Sequence, residues 1–102
     1  MSTPAVVREF DPLSTGHGCV GTTTLDTPIQ STVYANGILV AVKGTPTVAH
    51  PFPPDPPCAP HVAQLNLGSN TVFVEGIELG RVGDSADAGQ MTNGSPNVFA
   101  GP

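Results

Sequence analysis

The residues of this chain best suited to bind a metal ion are its three histidines and two cysteines. His50 and His61 flank a segment with six prolines, which excludes a helix or a central strand and favours a rigid, extended loop. Imidazole nitrogen and thiolate sulfur are the usual ligands of tetrahedral zinc. Cys58 precedes His61 by three residues, a spacing that lets two side chains of one tight turn reach the same ion.

The remaining histidine, His17, lies far upstream in the sequence GHGC, next to Cys19. Cys19 and Cys58 could pair with each other. A reducing compartment and the nearby histidines favour thiols that are available for metal instead. We therefore expect free cysteines rather than a disulfide.

The composition predicts a single all-β domain over residues 1–102. Among 102 residues the chain has 12 Gly and 12 Pro, 5% aromatic residues and 11% charged residues. Such a chain is poor in helix formers, yet it is too weakly charged for ordinary disorder, so short strands joined by tight turns are favoured. A domain of this size buries only about 60 to 70% of its unfolded surface, and a bound metal would add stability.

The charge balance argues against nucleic-acid binding. The net charge is −5 with only three Lys and Arg residues, so no basic patch can neutralise phosphates. The N-terminus has neither a basic region nor an apolar run, and no segment approaches 18 apolar residues. We expect a soluble protein that is made in the cytoplasm and stays there until something carries it elsewhere.

An internal repeat organises the chain. Residues 32–38 (TVYANGI) align with residues 71–77 (TVFVEGI) at an offset of 39. Each copy alternates β-branched or aromatic residues up to a turn with Gly, which predicts hairpins near residues 31–44 and 69–83.

A third copy is split between the chain ends. Residues 94–99 (GSPNVF) resemble residues 68–73 (GSNTVF), and residues 5–11 resemble the arm that contains Arg81 and Asp84. We therefore expect residues 95–100 to pair with residues 4–10, which closes three hairpins into a pseudo-threefold ring.

The repeat also relates the candidate ligands. His17 follows Asp11 by six residues, and His50 follows the equivalent Thr45 by five. The corresponding place in the third repeat, near residues 88 and 89, offers no donor. Symmetry of this kind would bring the ligands together at one narrow end of the fold.

These motifs together resemble the PAAR-repeat proteins. The resemblance covers almost the whole chain and rests on GHGC at 16–19, STVYANG at 31–37, His50 with Cys58 and His61, GSNTVFVEG at 68–76, RVGD at 81–84 and GSPNVFAG at 94–101. It implies a small cone of three β-hairpins with long Pro- and Gly-rich loops. Such a cone caps the trimeric β-helical spike of a contractile phage tail or a type VI secretion system.

The resemblance also implies a metal site near the sharp tip. His17, His50 and His61 fall on family histidine motifs, and Zn²⁺ or Fe²⁺ would be the ion. The family often places its cysteine after the third Gly-Asp, but the sequence SADAGQM follows Asp84 here. Cys58 is the preferred fourth ligand because it shares a turn with His61. Cys19 or a water molecule is the alternative, and Asp87 is a weaker candidate.

The function that follows from the resemblance is structural. One copy is expected to cap one spike trimer at the tip of the machine and to lead the penetration of a target membrane. No fused effector domain is expected. Pairs of apolar residues recur in the three copies, and we expect one member of each pair to face the core and the other to lie nearer the base or the outer surface; the pairs are Val33/Tyr34, Val72/Phe73 and Val98/Phe99.

The alternative is a small zinc metalloenzyme or metal-binding module, in which the histidines leave one position open for water. The eight acidic residues are scattered, mostly in turns, and offer no concentrated site for a general base. A catalytic metal would keep a water ligand, whereas a structural one would be closed by four protein ligands.

Overall fold

The fold is all-β, as the sequence predicts. The computed structural model describes residues 3–52 and 58–102. These residues form short antiparallel strands and no helix, and hence no helix that could cross a membrane. The strands are β1 (Pro12–Ser14), β2 (Thr22–Thr24), β3 (Tyr34–Ala35), β4 (Ile38–Leu39), β5 (His50–Phe52), β6 (Ala59–His61), β7 (Phe73–Val74), β8 (Ile77–Glu78), β9 (Ser85–Ala86) and β10 (Gly89–Met91).

The two hairpins predicted from the repeat are confirmed. β3 pairs with β4 and β7 pairs with β8, both antiparallel. The turn Asn36–Gly37 has φ of 58° and 75°, and the turn Glu75–Gly76 has φ of 53° and 79°. Positive φ at both central residues is the type I′ geometry, whose twist matches that of the flanking strands.

The predicted pairing of the two chain ends is also confirmed. Ala5 forms an antiparallel bridge with Phe99. The backbone N–H of Val6 donates to the carbonyl of Val98 at 2.9 Å. The N-terminal segment therefore lies beside the C-terminal one, and both are tied into the fold.

Three extended segments, residues 5–8, 40–42 and 79–81, pair with one another in a closed cycle. Their antiparallel bridges join Val6 to Arg81, Leu79 to Val42, and Val40 to Arg8. Each segment thus bridges both of the others, which leaves no open edge between them.

One buried residue from each segment contributes to a ring of backbone hydrogen bonds. Val7 donates to the carbonyl of Gly80 at 3.1 Å, Gly80 to that of Ala41 at 2.9 Å, and Ala41 to that of Val7 at 2.9 Å. A Cβ atom on residue 80 would lie 2.5 Å from Leu65 Cδ2 and 2.8 Å from Val7 Cγ2. The space between the three segments therefore accommodates Val, Ala and Gly but no second large side chain.

Threefold symmetry of the whole chain is not confirmed, although local structure recurs. The same hydrogen bond occurs once in each repeat, from a backbone N–H to the side-chain oxygen of the residue three positions later. The acceptors are Asp11 at 2.7 Å, Thr45 at 3.1 Å and Asp84 at 2.8 Å. In contrast, β2, β1, β10 and β9 form one four-stranded sheet, whereas β5 and β6 form a separate two-stranded one. The second repeat therefore differs from the other two in strand pairing.

Two apolar clusters form the core. The first cluster contains Val6, Ala35, Val40, Val42, Val74, Leu79 and Ala100, and the second contains Val7, Leu13, Leu25, Ala41, Leu65, Ala86 and Met91. The second cluster includes residues of β1, β9 and β10, the elements that carry the turns described below.

The recurring apolar pairs differ in burial from the expectation. Among the first members, Val72 packs against the first cluster, but Val33 is 40% exposed and Val98 is 36% exposed. All the second members are more than half exposed: Tyr34, Phe73 and Phe99. The expectation that one member of every pair faces the core is therefore wrong for two of the three pairs. We call the surface formed by these six residues the apolar face.

Candidate metal centre

Strands β5 and β6 bring His50 and His61 together. Their Cα atoms are directly paired in the antiparallel ladder, so the two side chains project on the same side of the hairpin. Pro51 and Pro60 occupy the next pair, where a hairpin without further strands tolerates missing N–H donors. The ends of the proline-rich segment are thus strands rather than an extended loop, and residues 53–57 lie outside the described part of the chain.

Two tightly packed turns supply His17 and Asp87. His17 lies in the connection from β1 to β2, and Asp87 lies in the two-residue turn between β9 and β10. The N–H of Ala88 donates to the carbonyl of Thr15 at 2.9 Å, so the two turns are in direct contact. A Cβ atom on Gly16 would overlap the carbonyl of Ala88, which is why glycine is needed at this crossing.

The four side chains converge on one point. Asp87 Oδ2 lies 2.8 Å from His17 Nε2, 2.7 Å from His50 Nε2 and 3.4 Å from His61 Nε2. His50 Nε2 and His61 Nε2 are 2.8 Å apart. One potential ligand atom from each residue lies within 4.8 Å of all the others, so this group could hold a metal ion. A tetrahedral ion at about 2.05 Å from each donor would need donor separations of about 3.3 Å. The closest donor pairs would therefore move apart, and a pair near the 4.8 Å limit would move closer together.

The outer nitrogens of two histidines fix the tautomer that a metal requires. His17 Nδ1 lies 2.9 Å from the carbonyl oxygen of Gly18, and His50 Nδ1 lies 2.8 Å from that of Val48. A carbonyl oxygen can only accept, so both Nδ1 atoms carry the proton. In the neutral rings each Nε2 then presents a lone pair toward Asp87, an arrangement that needs a shared cation or an extra proton.

The site is largely shielded from water. Exposed side-chain fractions are 4% for His50, 5% for Asp87 and 7% for His17, against 25% for His61. Phe52 stacks on His61 with ring centroids 4.2 Å apart and packs edge-on against His17 at 4.8 Å. The low local polarity strengthens any attraction between a cation and the Asp87 carboxylate.

Opposite pKa shifts mark the same electrostatic coupling. The hydrogen bond to the Gly18 carbonyl raises the pKa of His17; burial opposes this, and the Asp87 carboxylate adds to it. Burial acts to raise the pKa of Asp87. Hydrogen bonds from His50 and His17 and the positive charges of His17 and His61 together outweigh burial, so the pKa of Asp87 lies below its ordinary value. The carboxylate is therefore ionised and ready to bind a cation.

The structure differs from the expected ligand set at the cysteines. Cys19 and Cys58 form a disulfide, and neither cysteine is free. The expectation of free thiols is therefore wrong, and Cys58 supplies no thiolate to this site. Asp87, the further candidate, takes the fourth position beside the three expected histidines.

The repeat contained a partial signal for Asp87. The place expected in the third repeat, near residues 88 and 89, has no donor, but the residue just before it is an acid. Asp87 has φ of 54°, a left-handed conformation that Asp tolerates better than most residues. Its position at the first residue of the turn directs the carboxylate toward the histidines.

No protein-family model and no curated protein sequence matches the chain at a significant level. The resemblance to PAAR-repeat proteins therefore remains a prediction.

We expect Gly89→Ala to separate the two turns and to weaken the site. An added Cβ would overlap the backbone carbonyl of Ser14, and backbone moves less readily than a side-chain end. The free energy of unfolding should fall by about 1 to 3 kcal/mol, as in other overpacked positions, and zinc affinity should fall with it. Urea unfolding and zinc titration measure both effects.

The matched control is Gly21→Ala, in the β1–β2 connection that carries His17, where an added Cβ meets nothing within 4 Å. Equal losses in the two variants would show that the contact between the turns does not position the ligands.

The pH dependence of stability should reverse when metal is bound. Without metal, the pKa of His17 lies above its ordinary value of 6.5. The stabilisation from its protonated form is thus complete below that pH and is lost as the pH rises through the raised pKa. The lowered pKa of Asp87 affects stability only at acidic pH, because that contribution is complete above the ordinary value of 3.8.

With metal bound, the ligands must be deprotonated, so stability should rise over the same interval. Urea unfolding at pH 6 and pH 8, with chelator and with zinc, measures both slopes. Parallel slopes would contradict a metal site built from these histidines.

Proposed function

We propose that this protein is a non-enzymatic spike tip of a contractile injection machine. One copy caps one trimeric β-helical spike and leads it through the target envelope. The chain is made in the bacterial cytoplasm and assembles at the tip of a phage tail or a type VI secretion system. The observation that carries this proposal is the apolar face, in which equivalent residues from three repeats surround one pocket.

The apolar face has the chemistry of a docking surface. Its pocket has a volume of about 440 Å³ and is lined by all six residues of the face together with members of the first cluster. Three aromatic side chains there are between 53% and 58% exposed: Tyr34, Phe73 and Phe99. Exposed aromatic residues around a concave apolar centre are typical of protein-binding surfaces, where such residues contribute most of the binding energy.

The recurrence of these residues in three repeats favours a partner with threefold symmetry. A trimer presents three identical surfaces around its axis, and a single chain matches all three only by presenting three similar surfaces itself. The pairs Val33/Tyr34, Val72/Phe73 and Val98/Phe99 meet this requirement.

Hydrogen bonds between the repeats hold this face in shape before any partner binds. Asn36 Nδ2 donates to Asn97 Oδ1 at 2.7 Å, and Thr32 Oγ1 donates to Glu75 Oε2 at 2.6 Å. Arg81 donates to the carbonyl of Gly101 at 2.7 Å. A preorganised surface loses little conformational entropy on docking, which favours tight capping.

The metal centre is separate from the apolar face, and in this proposal it forms the pointed end of the tip. None of its four ligands lines the apolar pocket. We propose that it holds one Zn²⁺, since three imidazoles and one carboxylate are all zinc ligands; Fe²⁺ accepts the same donors. Its role is structural, because four protein ligands complete a tetrahedral shell and leave no position for a catalytic water.

Reconstitution with a trimeric β-helical spike from the same genome tests the function. Native mass spectrometry should show three spike chains with one copy of this protein, and the affinity should change little with salt because the face is apolar. The triple variant Tyr34→Ser/Phe73→Ser/Phe99→Ser should lose binding.

Phe10→Ser is the matched control, because Phe10 is 59% exposed and lies outside the pocket. A stoichiometry of three to three, or equal losses in both variants, would overturn the proposal.

A further inference from the structure

The disulfide joins the two parts of the chain that supply the histidines. Cys19 lies two residues after His17, and Cys58 lies three residues before His61. One end of the bond is therefore in the β1–β2 connection and the other is at the β5–β6 hairpin. Among the described residues, β2 and β1 belong to one sheet and β5 and β6 to another.

The β5–β6 hairpin covers the site, and its main-chain ties to the rest of the described fold lie at its base, where the N–H of Val48 donates to the carbonyl of Thr24 at 3.0 Å and Thr47 bridges Leu25. It forms its own two-stranded sheet, without a third strand beside it. At its base, Thr47 donates its N–H to the carbonyl of Ala63 at 3.0 Å, and Ala63 donates to Thr47 Oγ1 at 3.0 Å. Beyond that base it carries His50, His61 and the covering Phe52.

The far end of the hairpin is held by the disulfide. Phe52 pairs with Ala59 in the last rung of the described ladder, and Cys58 follows directly beyond it. The bond to Cys19 therefore fixes this end of the hairpin against the connection that carries His17. Two of the four ligands can leave together if the hairpin swings outward, so this tether controls half of the ligand set.

We propose that the Cys19–Cys58 disulfide is a redox-controlled clamp on the metal centre, which slows metal release when it is oxidised. The inference rests on the proposed metal site. Cys19 and Cys58 are both exposed, so a small reductant can reach the bond. Cytoplasmic dithiols would reduce it, and the oxidising envelope of a target cell would favour its closure.

Two-electron reduction of the Cys19–Cys58 disulfide opens the clamp. A trialkylphosphine attacks one sulfur and breaks the S–S bond, and water then gives a phosphine oxide and two thiols. Phosphorus loses two electrons and the disulfide gains two. In cells a dithiol would perform the same two-electron reduction by thiol–disulfide exchange and would itself become a disulfide.

The test is the rate of zinc release from the full chain to a colorimetric chelator, with and without a phosphine reductant. Zinc release should be about 10- to 100-fold faster after reduction. The reason is that His50 and His61, on the β5–β6 hairpin, lose the tether that keeps them at a high effective concentration near the ion. Cys19→Ser/Cys58→Ser should release zinc at the fast rate with or without reductant, which also controls for binding of zinc by the phosphine. Circular dichroism during the assay checks that the chain stays folded.

The outcomes separate the clamp from the site itself. Equal release rates from oxidised and reduced folded protein would overturn the clamp and leave the metal site intact. Absence of zinc binding in both redox states would overturn both. If the double variant does not fold, the comparison of oxidised and freshly reduced wild-type protein decides alone.

Discussion

We expect exhaustive removal of the metal to lower the free energy of unfolding by an amount of the order of 10 kcal/mol relative to saturating zinc, the magnitude typical of structural zinc sites. The reason is that the four ligands are 70 residues apart at the extremes, in His17 and Asp87, and meet only in the folded chain. The unfolded chain therefore has no comparable site, and the binding free energy becomes folding free energy. Urea unfolding with zinc and with chelator, after metal content is verified, measures the difference.

Asp87→Asn sharpens this test. It removes the charge that faces three imidazoles but keeps the size of the side chain, so most of the zinc-dependent stabilisation should disappear. Asp26→Asn is the matched control, since Asp26 lies outside the site and donates no ligand. An unchanged unfolding curve after verified metal loss would refute the structural role of the ion.

Loss of the disulfide is the second large effect. Cys19→Ser/Cys58→Ser should lower the free energy of unfolding by about 4 kcal/mol, because the bond closes a loop across a sequence separation of 39 residues and restricts the unfolded chain. Both proteins must be compared in chelator, so that the metal does not contribute. Urea unfolding gives the value directly. A difference below about 1 kcal/mol would show that chain restriction by this bond is offset elsewhere.

The features that depend on local sequence could be predicted. Asn36–Gly37 and Glu75–Gly76 require the same turn in both hairpins, and the alternation before each turn sets the strand. The split third copy predicted the contact between Ala5 and Phe99. Its first arm lies at the C-terminus and its second arm at the N-terminus, so the hairpin forms only if the two ends of the chain pair.

The features that depend on contacts between repeats were harder to predict. Cys19 and Cys58 are separated by the same 39 residues as the two hairpin copies. However, Asp11 and Thr45 are equivalent at an offset of 34, so Cys19 and Cys58 do not occupy equivalent places in their two repeats, and the repeat gave no signal for the disulfide. The sequence alone makes Asp87 only a weaker candidate, because the contact between its turn and the β1–β2 connection depends on backbone packing at Gly16 and Gly89, which no spacing rule contains.

X-ray absorption at the zinc edge of the loaded, oxidised chain tests the central claim most directly, because it counts and identifies the ligands. We predict one zinc ion per chain with four nitrogen or oxygen ligands at about 2.0 to 2.2 Å, from His17, His50, His61 and Asp87, and no sulfur. A sulfur ligand at about 2.3 Å would contradict this assignment and restore a cysteine to the site.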